Sequence, residues 1–167
     1  NLDNIHFYGG DPLFTNTHET ILNYIDNKIG LDKIYIWYTA NGTIKVLNRV
    51  LDLWNKCRIV KIYFSIDDIG KRFEYIRYGA SWNQVVETMF WFRENSPDNV
   101  MFTLEPTFSC LNTYYFNELL EWKSKNFNTN RLGDCVNLDG HKVSNKFVLE
   151  SMPEELIDLT IKKNAHD

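Results

Sequence analysis

The stretch Ile5-His-Phe-Tyr-Gly-Gly-Asp-Pro12 begins as an apolar, aromatic run and stops abruptly in two glycines, a carboxylate and a proline. Residues 4–8 therefore read as a buried strand, and the glycines and proline read as the turn that ends it. Asn16, with Glu19 three residues later, then has the spacing of a helix start. Ile21, Leu22, Ile25 and Ile29 form a helical stripe that Gly30 closes. This strand–turn–helix unit recurs along the chain, and the recurrence decides the fold.

Residues 33–39, rich in β-branched and aromatic side chains, read as a second strand closed by Asn41-Gly42. Ile44, Leu47, Leu51 and Trp54 repeat at helical spacing, and residues 59–65 make a third strand. Ser81 with Gln84 reads as a capping box for a helix that turns Val85, Val86, Met89 and Phe90 inward. Residues 99–104 are a fourth strand. Asn112 is a candidate cap for a helix carrying Phe116, Leu119 and Leu120, a short strand is expected near 135–138, and Pro153 suits the first residue of a last helix. Alternation of strands and helices with short loops predicts an α/β fold of repeated βα units with a mainly parallel sheet, in a single domain over residues 1–167.

Composition bounds the function. The chain has 167 residues, enough for one real core, and 44% of them are hydrophobic, which argues against disorder. The net charge of −4 gives no basis for general nucleic-acid or membrane-surface binding. No apolar run approaches the roughly 20 residues of a membrane span. The three cysteines, Cys57, Cys110 and Cys135, are widely spaced and odd in number, which reads as reduced thiols in a cytoplasmic setting. Cys110 and Cys135 can meet in space; a role as small buried hydrophobes is the plainer reading.

Parallel sheets bind ligands outside the carboxyl ends of their strands. The residues after each predicted strand are therefore the candidates: Gly9, Gly10 and Asp11; Thr39, Asn41 and Thr43; Ser65, Asp67 and Asp68; Glu105, Thr107 and Ser109. Two adjacent glycines let a ligand approach the backbone closely, and Asp11 adds a negative charge. Together they suit a cationic group such as an amino-acid ammonium. Each set also has a purely local reading, since Asn-Gly makes turns and Ser or Thr caps helices. Asp67, Asp68 and Glu105 offer a further option, a divalent-cation site built from carboxylates. The four histidines fall in no recognisable motif, and His6, in mid-strand, reads as a satisfied core histidine.

The ordered set of motifs resembles the radical S-adenosylmethionine enzymes, in the branch with SPASM or twitch extensions. The matching residues are Ile5–Pro12, then Tyr38-Thr-Ala-Asn41-Gly42-Thr43, then Tyr63-Phe-Ser65-Ile-Asp67, then Ile76-Arg77-Tyr78-Gly79-Ala80-x-Trp82 and Pro106-Thr-Phe-Ser109-x-x-Asn112. The resemblance runs over roughly residues 4–160. It implies a partial TIM-like barrel, with Gly9, Gly10 and Asp11 holding the methionyl ammonium of S-adenosylmethionine. Asn41 would lie on the cofactor edge, Ser65 would reach the carboxylate or ribose, and Asp67 would support that exit. Arg77 would pair with a carboxylate or form a surface ion pair, and Asn112 would contact ribose or cap its helix. In intact form such an enzyme cleaves S-adenosylmethionine reductively with a 4Fe–4S cluster to give a 5′-deoxyadenosyl radical, here with a peptide or small-molecule substrate. The family's Cys-x3-Cys-x2-Cys loop has no counterpart in this sequence. The chain would open at the second barrel strand and would be inactive alone, a cluster-free nucleotide-binding or scaffold protein of the same fold being the alternative. The open first strand would then favour pairing with a second copy.

Overall fold

The computed structural model describes residues 2–127, 132–136 and 152–165. Five strands, β1 (Asn4–Phe7), β2 (Tyr35–Ala40), β3 (Ile59–Phe64), β4 (Val100–Leu104) and β5 (Leu132–Val136), form one sheet in chain order. Every pairing in it is parallel. The helices are α1 (Thr17–Ile29), α2 (Asn48–Lys56), α3 (Gly70–Ile76), α4 (Trp82–Asn95), α5 (Phe116–Asn126) and α6 (Glu154–Asn164). The α/β class and the parallel sheet are as expected; the strand predicted at 135–138 begins earlier, at Leu132.

Strictly sequential parallel strands with right-handed crossovers send successive helices to the same face of the sheet. Burial follows that geometry. Ile36, Tyr38, Ala40, Val60, Ile62 and Phe64 are buried, whereas the alternating Tyr35, Trp37, Thr39, Ile59, Lys61 and Tyr63 are half-exposed on the other face. The covered face carries an aromatic core. Tyr38 packs on Trp54 of α2 with ring centroids 5.3 Å apart, and Phe92 of α4 meets Phe64 at 5.8 Å and Phe102 at 6.0 Å. Aromatic pairs at these separations add to simple area burial.

Three local expectations are corrected. The buried stripe of α1 is His18, Leu22 and Ile25; Ile21 and Ile29 are exposed. His6 is not a core histidine: it is exposed on the uncovered face and bonds the Thr39 hydroxyl at 3.2 Å. The side-chain caps do not form at Asn16, Ser81 or Asn112. Tertiary partners compete for the capping groups. Glu19 is bonded to Arg49 of α2, Gln84 reaches back to the Thr43 carbonyl, and the first amide of α4, on Trp82, donates to Glu74 of α3. Pro153 stands immediately before α6, one position from the expected place.

Among the described residues β1 is an outer strand. The Tyr35 amide donates to the Asp3 carbonyl, so the parallel ladder turns the backbone groups of Asn4 and His6 away from β2. No charged residue or proline lies within β1 to discourage a further strand. Reversible self-association through this edge is the expected result in sedimentation velocity at rising concentration, and His6→Lys should reduce it; a concentration-independent monomer would contradict it. Among the described residues no helix is long and apolar enough to cross a membrane.

Candidate functional site

The exit of β1 is a turn that only glycine makes cheaply. Gly9 and Gly10 have φ of +86° and +61°, a region that L side chains rarely adopt, and no atom lies within 4 Å of where a Cβ would stand on either. Their backbone groups are hydrogen-bonded to nothing among the described residues. Asp11 is oriented rather than free. Its Oδ1 accepts the Leu13 amide at 3.0 Å and its Oδ2 accepts the Asn41 amide at 3.2 Å. The second bond ties the exit of β1 to the exit of β2. Each carboxylate oxygen keeps further acceptor capacity for a cation.

At the β2 exit, Asn41 Oδ1 accepts both the amide and the hydroxyl of Thr43, which closes the turn. Its amide nitrogen has no partner among the described residues. Gly42 has a positive φ as well, +76°, and a Cβ there would in addition come within 3.1 Å of Val85 and 3.3 Å of Phe64.

Asp67, after β3, is 5% exposed and bridges two elements. Its Oδ2 accepts Arg77 Nε at 2.7 Å and its Oδ1 accepts the Thr107 amide, after β4, at 2.7 Å. The terminal nitrogens of Arg77 have no partner among the described residues. Asn112 is buried behind this pair. Its amide nitrogen donates to the carbonyls of Asp67 and Thr107, and its oxygen accepts from the amide and hydroxyl of Ser109. Both donors and both lone pairs are thereby taken, so Asn112 braces the β3 and β4 exits and has no group left for a ribose.

Two clefts result. One, of about 670 Å³, is lined by Gly9, Gly10 and Asp11 together with His6, Tyr8, Phe14 and His18. The other, of about 520 Å³, is lined by Asn41, Thr43, Asp67 and Arg77 and by Tyr78. Ser65 stands at the end of β3, its amide bonded to the Ala40 carbonyl, and is in the wall of neither. The carboxylates considered for a divalent cation diverge: Asp67 serves Arg77, while Asp68 accepts from Arg72 at 2.9 Å. Among the described residues no three ligating side chains converge. Cys57 is buried as a small hydrophobe, its thiol donating to the Leu53 carbonyl. Burial pushes that thiol up to about 12, so it stays protonated. The side chain of Cys135 lies outside the described residues.

One residue at the site escapes the strand-exit reading. His18 is 4% exposed, yet it lines the first cleft. Trp54 Nε1–H, a donor only, donates to the Tyr38 oxygen at 3.1 Å. Tyr38 is fully buried, so its own proton needs an acceptor, and His18 Nδ1 lies 3.1 Å away. His18 therefore carries its proton on Nε2. The His18–Leu22–Ile25 spacing of i, i+4 and i+7 is the signal that reveals it, hidden by the adjacent Ile21.

Burial lowers the His18 pKa below 6.5, against the opposing pull of Glu19 and Asp11. The unfolded chain thus takes up this proton at higher pH than the folded one. Stability is expected to be full above about pH 6.5 and to fall as pH drops through the window below it. Urea midpoints at pH 7.5 and 5.5 should show this slope in the wild type and a smaller one in His18→Gln.

No family model matches the chain, and no curated protein matches it.

Proposed function

We propose that this chain is the S-adenosylmethionine-binding part of a partial radical S-adenosylmethionine barrel, with the cofactor lying along the carboxyl edge of the sheet. The observation that carries the reading is the β1 exit. Two adjacent positive-φ glycines with unbonded backbone groups stand beside a carboxylate held in place by the next strand's exit. An ammonium offers three donors and a positive charge, which this corner matches. From there Asn41 and Arg77, in the wall of the second cleft, provide an amide and a guanidinium on the side toward β3, suited to the ribose and carboxylate of the same molecule. Asp67 fixes Arg77 through Nε and leaves its outer nitrogens for an anion.

The residues present do not fit a 4Fe–4S cluster. Cys57 is buried and protonated, and no ligand group of three is found among the described residues. The role supported here is therefore binding of the intact cofactor. A cluster-free ligand-binding protein of the same fold is the second reading, favoured by the packing of Cys57 into the core.

Isothermal titration with S-adenosylmethionine tests the proposal. Wild type should bind. Gly10→Val should abolish binding, because a β-branched residue at φ +61° is strained and places its side chain where the ligand approaches. Asp11→Asn should weaken it about tenfold through loss of a charge-assisted bond, and Asp11→Glu should retain most of it. Absence of binding by folded wild type would sink the reading.

A further inference from the structure

We infer that His18 is itself a ligand-contacting residue: its Nε2–H donates to a carboxylate oxygen of the amino-acid headgroup whose ammonium lies at Asp11. This rests on the reading of Gly9–Asp11 as an ammonium corner, and it adds a residue that no strand-exit pattern points to.

Four observations converge on it. The ring is almost wholly buried and yet forms part of the wall of the 670 Å³ cleft. Its Nδ1 is bonded to Tyr38, whose hydroxyl is in turn held by Trp54, so tautomer and ring orientation are set by the core. The other ring nitrogen has no hydrogen-bond partner among the described residues and is not sealed in the core, so its N–H is left for a ligand oxygen in the cleft that His18 lines. Finally, Asp11 lines the same cleft as His18. A fixed carboxylate and a fixed N–H donor at one cleft are complementary to a group that carries an ammonium and a carboxylate on the same carbon.

The rest of the cleft agrees with this ligand class. Tyr8 and Phe14 are 74% and 75% exposed at its rim, aromatic side chains that suit the cationic sulfonium beyond the headgroup. The other nearby carboxylate, Glu19, is engaged by Arg49. A ligand carboxylate has acceptor capacity for more than one donor, so it accepts the His18 Nε2–H bond with capacity left for a second donor.

The test is titration of wild type, His18→Leu and His18→Gln with S-adenosylmethionine and with 5′-methylthioadenosine, which lacks the amino-acid headgroup. Imidazole 15N spectra of the wild type are recorded alongside. His18→Leu should weaken S-adenosylmethionine binding about tenfold, and His18→Gln, which keeps a donor, should recover most of the loss. Binding of 5′-methylthioadenosine should be the same in all three. The free protein should show the Nε2–H tautomer, with the Nε2 resonance shifting when S-adenosylmethionine is added. If wild type binds S-adenosylmethionine but His18→Leu is unaffected and the imidazole resonances stay still, the role of His18 is overturned and the ammonium corner stands. Equal losses in the Leu and Gln variants also overturn it. If wild type does not bind S-adenosylmethionine at all, both fall together.

Discussion

Asp67→Ala is expected to lower the unfolding free energy by about 3 kcal/mol and to loosen the edge of the sheet where a ligand would lie. Asp67 is buried and holds Arg77 at 2.7 Å and the Thr107 amide at 2.7 Å. Removing one partner of a buried ion pair usually costs about 3–5 kcal/mol. Arg77 is 29% exposed and can turn to water, which places the expected value at the lower end. The Thr107 amide also loses its acceptor. Asp67→Asn keeps an oxygen for Thr107 and loses only the charge, so it should cost about half as much. Urea denaturation of the two variants separates these contributions. Equal stability of Asp67→Ala and wild type would show that the β3 and β4 exits are held together some other way.

Trp54→Ala should be more damaging still, about 4 kcal/mol, a large share of the roughly 5–15 kcal/mol of a typical domain. Its indole is fully buried between Tyr38 and Phe92, with ring centroids at 5.3 Å and 6.1 Å. The loss combines a large cavity with release of the Tyr38 hydroxyl. Trp54→Phe isolates the second part. It should cost about 1 kcal/mol and free the Tyr38 hydroxyl, which no longer needs to donate to His18. The imidazole 15N spectrum of that variant should then show a mixture of tautomers. Retention of the single Nε2–H form would mean that something other than Trp54 sets it.

The strands were legible because each is a short run of β-branched and aromatic residues ended by turn residues. Val60, Ile62 and Phe64 alternate with Lys61 and Tyr63, and only the alternating set is buried. The parallel arrangement followed from the helical stripes between strands. The seven-residue α3 was not legible, because Gly70–Ile76 is too short for a helical period to show and buries only Phe73. Helix starts were misread where the capping group comes from a distant element, as Glu74 does for Trp82. The polar strand exits were legible, since Gly9, Gly10, Asp11, Asn41 and Asp67 do lie just after β1, β2 and β3. Which of them face a cleft was not, because that depends on hydrogen bonds across 30 to 45 residues: Asp11 with Asn41, and Asn112 with Asp67. Asn112 looks like a ligand residue in sequence and proves to be a brace. His18 looks like an ordinary helix residue and proves to be buried at a cleft wall.

On the proposed function, the exits of β1, β2 and β3 together bind S-adenosylmethionine. Mapping the amide 15N–1H resonances of the wild-type protein during titration with S-adenosylmethionine tests it most directly. The predicted result is a saturable set of shifts at Gly9, Gly10, Asn41 and Arg77, with the helix-covered core around Val60 and Ile62 unmoved. Shifts confined to residues away from these exits, or none at saturating ligand, would contradict it.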